Sequence, residues 1–255
     1  SVDRAAQRFR YVYDAYLRNS GTKTYLSVIP DKNVFIASPN GYPDKDYKAL
    51  VERLRNGFPE AKYIDISELL SADDFYYTDS HWRQERILTV SDEIADKMGA
   101  ERIGQCEKHD AGISFYGVYY GQSALPHAPE RFFYLENAVI RGLKVYNVEA
   151  SSDIPVYDLS AAAGRDPYEM FLGGARSIIT LTNPKAAKER RLIVFRDSFG
   201  SSIAPLLTAG YSEVTLVDIR YIAPSALGRL IDFTKADDAL FLYSASVINN
   251  SETIK

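Results

Sequence analysis

The hydrophobic positions of the chain fall into alternating helical and strand-like patterns. Over Val2 to Arg18, Ala6, Phe9, Val12, Tyr13 and Tyr16 recur at helical intervals, which predicts an amphipathic helix ended by Asn19-Ser20-Gly21. Tyr25-Leu26-Ser27-Val28-Ile29-Pro30 reads as a buried strand. Tyr47, Leu50, Val51 and Leu54 predict a helix over Asp44 to Asn56, stopped by Gly57, and Ala61 to Ile66 is a short strand. The polar turn Tyr77-Thr78-Asp79-Ser80-His81-Trp82 then leads into a helix over about Gln84 to Met98, with Gly99 behind it.

From Arg102 to Thr182 the pattern changes. Strand-like runs at Ile113 to Tyr120, Phe132 to Ile140 and Leu143 to Val148 are separated by Gly, Pro and Asn turns, which predicts antiparallel hairpins forming an inserted or edge subdomain over 102–182. The earlier rhythm then returns. Arg191 to Phe195 is an apolar strand of the kind covered on both faces. A helix over Ser201 to Ala209, a strand over Glu213 to Ile219, a helix over Ser225 to Phe233 and a last strand over Ala239 to Tyr243 follow. Alternating strands and helices at this spacing predict a parallel sheet with right-handed crossovers, in one domain spanning 1–255.

Composition narrows the function classes. Apolar residues are 46% and charged residues 25% of the 255, and the net charge is −4, an ordinary globular balance. No basic stripe with interleaved aromatics recurs, so a nucleic-acid partner is not expected. The single cysteine, Cys106, excludes an internal disulfide and a paired-cysteine zinc site. His109 and His127 lack metal-ligand spacing and no phosphate-binding glycine motif occurs, so no metal or cofactor is expected. No apolar run is long enough to span a bilayer. The chain starts at Ser1 with no legible leader, which leaves localisation open. Its 19 tyrosines suit either a sugar-binding cleft or ordinary sheet surfaces.

Two polar turns carry candidate chemistry. Ser198, in Arg196-Asp197-Ser198-Phe199-Gly200, follows a predicted parallel strand at its carboxyl end, where functional groups gather in such sheets. A serine there is either a nucleophile beside free backbone N–H groups or part of a helix cap with Asp197. Asp79 and His81 lie two residues apart, on one side of an extended segment, so the carboxylate can orient the ring. The competing reading makes Thr78, Asp79 or Ser80 the cap of the following helix and Trp82 a core residue; in the functional reading Trp82 walls the site against water. A serine hydroxyl needs a base and the base an orienter, and the chain supplies all three.

These two turns resemble the DHHW protein family, and are similar to the alginate O-acetylation proteins AlgX and AlgJ, whose catalytic domains are SGNH-like. The resemblance implies a flavodoxin-like, three-layer α/β/α SGNH-hydrolase fold with a parallel central sheet, with Ser198 as nucleophile, His81 as base and Asp79 as orienter. It implies a serine esterase or O-acetyltransferase acting on acetyl esters of a cell-surface carbohydrate outside the cytoplasm, with cell-envelope proteins as further partners. Phe171-Leu172-Gly173-Gly174 and Asp218-Ile219-Arg220-Tyr221 resemble further DHHW segments. Gly173, Gly174 or Asn249 then supplies an oxyanion donor, or each is turn chemistry. Arg220 holds either an acidic substrate or a carboxylate of the fold. One departure stands out: Arg196 replaces the glycine of the usual G-D-S motif. That change, and the unplaced oxyanion donors, motivate an alternative in which the chain is a non-catalytic carbohydrate-binding or scaffold protein on an SGNH frame. A lipase or protease ranks last, since no G-x-S-x-G elbow occurs.

Overall fold

The computed structural model describes residues 1–123 and 126–255. Its strands, in chain order, are β1 Lys23–Ile29, β2 Lys62–Tyr63, β3 Glu107–Phe115, β4 Glu130–Glu136, β5 Lys144–Asn147, β6 Ser152–Ile154, β7 Ile178–Thr182, β8 Arg191–Arg196, β9 Glu213–Val217 and β10 Asp238–Ser244. Eight of them form one sheet in the order β2-β1-β10-β8-β9-β7-β5-β6. The first five in that order pair in parallel, and β7, β5 and β6 continue the sheet antiparallel.

The central strands are buried on both faces, as their unbroken apolar runs require. All of β10 is buried, and all of β8 after Arg191. Their side chains alternate between two cores. Ile193, Phe195, Phe241 and Tyr243 pack on one face against the helices Val2–Val12 and Tyr47–Gly57. Phe9 lies 5.1 Å from Phe241 and 4.9 Å from Tyr243, ring centre to ring centre. Gly57 lets those two helices close: a Cβ there would stand 2.6 Å from Ala6 Cβ. Leu192, Val194, Leu240 and Leu242 face the other way, against the helix Leu88–Met98 and the segment Ala204–Gly210. This is a three-layer α/β/α sandwich with a mostly parallel sheet.

The antiparallel strands expected over 102–182 divide between two places, not one inserted unit. Among the described residues β3 and β4 make a separate two-stranded antiparallel sheet, and β5, β6 and β7 form the antiparallel edge of the main sheet. Local alternation specifies a strand but not its partner, and the apolar faces of β5 and β7 found theirs in the large core. The predicted strands at Ile113 to Tyr120 and Phe132 to Ile140 both end early. Val118–Ser123 and Ala138–Arg141 are short helices, the latter capped by Asn137 Oδ1, which accepts from the N–H groups of Val139 and Ile140 at 3.0 Å. The β3–β4 pair covers a third, aromatic core of Tyr76, Phe115, Phe132, Tyr168 and Phe171, which leads to the functional site.

Candidate active site

The site lies at the carboxyl ends of β1, β8 and β10, where a parallel sheet leaves a crevice. A cavity of about 540 Å³ opens there, lined among others by Asp31, Lys32, His81, Tyr119, Ser198 and Ser246. Ser198 follows β8 on a tight turn. The buried Asp197 beside it binds the turn to the sheet: Oδ1 accepts from Phe199 N–H at 3.1 Å and Oδ2 from Ser244 N–H, at the end of β10, at 2.8 Å. Of the two capping candidates Asp197 takes that part, through its bond to Phe199 N–H, and the Ser198 hydroxyl turns instead to His81. The Ser198 N–H has no protein hydrogen-bond partner among the described residues.

The second turn comes from residues 76–82. His81 Nε2 lies 2.8 Å from Ser198 Oγ, and His81 Nδ1 lies 2.6 Å from Asp79 Oδ1. A carboxylate only accepts, so Nδ1 carries the ring proton and Nε2 is left to accept from the serine hydroxyl. Asp79 also accepts from His81 N–H at 2.9 Å and, through Oδ2, from Val118 N–H at 3.0 Å. Burial pushes the Asp79 carboxyl up, but the His81 ring and these N–H groups outweigh it and hold the group below the ordinary carboxylate value. Asp79 therefore does not cap a helix. The next regular helix starts only at Leu88.

Three residues from outside this turn hold it. Lys32, just beyond β1, donates from Nζ to the carbonyls of Tyr76 at 2.6 Å, Tyr77 at 3.0 Å and Asp79 at 2.9 Å. Burial lowers its ammonium to about 8, against the pull of Glu130 and Asp79. Glu130, at the start of β4, accepts from the N–H groups of Tyr77 and Thr78 and the Thr78 hydroxyl, each at 2.8 Å, and from Arg83 at 2.7 Å. Gly117 lies flush against the turn: a Cβ there would stand 2.4 Å from Asp79 Cβ and 2.4 Å from Thr78 O. Lys32 was legible in principle, since it follows a parallel strand as Ser198 does. Glu130 and Gly117 carry no sequence signal, because their partners lie about forty to fifty residues away.

Below the ring, Tyr168 stacks on His81 with centres 3.8 Å apart, and Phe199 approaches it at 4.8 Å. Ser202 Oγ accepts from Tyr168 O–H at 2.7 Å and from Trp82 Nε1–H at 2.8 Å. Burial pushes the Tyr168 hydroxyl well up, so it stays neutral and donates. Trp82 is fully buried and does not line the cavity: it supports Phe199 and Ser202 from beneath, and does not wall the site.

The other predicted binding residues do not line the cavity. Gly173 and Gly174 adopt left-handed backbone, at φ +71° and +76°, and a Cβ on Gly174 would stand 2.7 Å from Glu169 Cγ; they make a turn only glycine fits. Arg220 is committed to Asp218, at 2.9 and 2.7 Å, the structural of its two readings. Asn249 is exposed in the last turn of the helix Ala245–Asn249. Arg196 is buried beside Asp218, with Gly200 packed on its side chain, and does not line the cavity with Ser198. No group of three or more His, Cys, Asp and Glu side chains among the described residues is placed to hold a metal ion.

Comparison with known proteins gives this arrangement a context. A DHHW family protein from Eubacterium siraeum superposes with a TM-score of 0.79 at 17% identity, over 99% of this chain and 88% of that one. PatB1 from Bacillus cereus, solved with a sulfonyl adduct, gives 0.75 at 16% identity, over 97% and 90%. The O-acetyltransferase domain of Pseudomonas putida AlgJ gives 0.57 at 13% identity, over 97% and 83%. At these identities the likeness is one of fold. No curated protein matches the sequence. The model of the family described as "DHHW protein" matches residues 64–217, a stretch that contains both turns of the site. The chain belongs to the DHHW protein family.

Proposed function

We propose that the protein is a serine acyl-ester enzyme, an O-acetyltransferase or esterase acting on acetyl groups of a carbohydrate. The single observation that carries this reading is the hydrogen-bonded chain from Ser198 Oγ through His81 to Asp79, at 2.8 and 2.6 Å, opening on a cavity. His81 Nε2 takes the Ser198 proton as Oγ attacks the ester carbonyl. The negative charge that develops on the carbonyl oxygen meets the Ser198 N–H. Collapse breaks the ester C–O bond, and His81 returns the proton to the leaving alcohol. A second hydroxyl, from water or from a sugar, then attacks the acyl-serine with the same proton transfers reversed. Asp79 stays ionised throughout and stabilises the imidazolium.

The fold shared with an O-acetyltransferase domain supports acyl-transfer chemistry, and whether water or a sugar hydroxyl takes the acyl group decides between esterase and transferase. The cell-surface substrate and the location outside the cytoplasm rest on the family resemblance; no helix among the described residues is long and apolar enough to cross a membrane. The scaffold alternative drew on Arg196, and that side chain lies outside the cavity. The test is hydrolysis of p-nitrophenyl acetate by the parent and by Ser198→Ala, with intact-protein mass to detect an acetyl-serine. The expected loss on substitution is on the order of 10⁵-fold. Equal turnover by both proteins, with no acylated species, rejects the reading.

A further inference from the structure

On the far side of the 76–79 turn lies a second cavity, of about 800 Å³. Lys32 and Tyr119 line both cavities, so the two are neighbours across one thin partition. Four exposed large side chains converge on this second space: Ile36 at 41%, Tyr77 at 69%, Tyr119 at 39% and Tyr120 at 36% exposure. Aromatic and aliphatic surface gathered in a concavity marks a ligand or partner site more than scattered exposure does. The rings are held in place. Tyr77 stacks on His127 with centres 4.5 Å apart, and Tyr120 packs on Tyr116 at 4.5 Å. Ordered rings with exposed faces and polar hydroxyl edges match the alternating C–H faces and hydroxyl rims of a pyranose, and lose little entropy on binding.

Charge narrows the ligand further. The lining carries the cations Lys32, Arg83 and Arg86 against one carboxylate, Asp73. Arg83 is neutralised by Glu130, which leaves Lys32 and Arg86 facing Asp73. Arg86 is exposed and makes no ion pair among the described residues. We propose that this cavity binds the sugar chain of the substrate, an anionic saccharide stacked on Tyr77 and Tyr120 with its acidic group toward Arg86, so that a hydroxyl or ester reaches past Lys32 and Tyr119 to Ser198. The proposal rests on the reading of Ser198 as a carbohydrate acyl-transfer site.

The test is isothermal titration calorimetry on the Ser198→Ala protein, so that binding is read without turnover. The probes are tetragalacturonic acid and the neutral cellotetraose. The acidic tetramer binds more tightly, Tyr77→Ala weakens it about tenfold, and Arg86→Ala weakens it about fivefold while leaving the neutral tetramer unchanged. Both substituted side chains are exposed, and matching thermal unfolding midpoints exclude a folding defect. Absence of binding by either tetramer, or unchanged affinity in both variants, overturns the site; equal affinity for the two tetramers overturns the charge selection. Failure of the catalytic reading shows separately, as p-nitrophenyl acetate turnover that survives Ser198→Ala.

Discussion

Ser198 sits on a turn tied to the central sheet by its own neighbours, with Asp197 bonded to the end of β10 and Gly200 packed on Arg196. Asp79 and His81 sit on a turn held by side chains that arrive from elsewhere: Lys32 from the end of β1, Glu130 from β4, and the backbone of Gly117 and Val118 beyond β3. The nucleophile's place therefore follows from the sheet, while the place of the base follows from clamps crossing between the sandwich and the β3–β4 pair. Damage to the first turn reaches the core that holds the whole fold. Damage to the second misplaces an acid–base pair on a fold that persists, and small misplacements at such pairs cost large factors in rate.

The largest effect expected on that contrast is at the orienting carboxylate. Asp79→Asn lowers kcat for p-nitrophenyl acetate on the order of 10⁴-fold, because an amide cannot hold the same tautomer or the imidazolium. The same variant carries a pH signature. The Asp79 carboxyl is held below its ordinary 3.8 in the fold, so the stability it contributes is complete above that value and is lost as pH falls through the lower folded one. The gap between parent and variant unfolding midpoints is then full at neutral pH and narrows only as the pH falls below 3.8. A gap that widens on acidification contradicts the assignment.

Next comes the close approach at Gly117. Gly117→Ala forces a methyl group into Asp79 and the Thr78 carbonyl, and lowers kcat about 100-fold at a stability cost of about 1–3 kcal/mol. A crystal structure of the variant shows whether Asp79 has moved from His81. Lys32→Met removes the cation shared by three carbonyls of the turn. It lowers kcat about tenfold and stability by about 2 kcal/mol, and saturation curves separate that loss in kcat from any change in KM. The smallest change in kcat, within about tenfold, is expected on the serine side. Asp197→Asn leaves a buried N–H of Phe199 or Ser244 facing an amide N–H, and calorimetry then reads an unfolding midpoint lower by roughly 5–10 °C. If Asp197→Asn spares the midpoint while Lys32→Met collapses it, the two turns have been assigned the wrong supports.

Local pattern along the chain determined the elements that need no distant partner to be recognised. Phe9 and Val12 at helical spacing, the unbroken apolar run of β8, and a serine following it declared a covered parallel sheet and its functional end. The pair Asp79 and His81 was legible because an orienter and its base lie two residues apart. Tertiary structure alone decided the rest. It placed β5, β6 and β7 on the edge of the main sheet, because an amphipathic strand carries a face but no address. It brought His81 across 117 residues of sequence to Ser198. It turned Trp82 downward into the core, kept Gly173, Gly174, Arg220 and Asn249 out of the cavity, and recruited Lys32, Glu130 and Gly117. Hydrophobic periodicity records which face of an element is buried, whereas a hydrogen bond between side chains depends on distances that only the packed sheet sets.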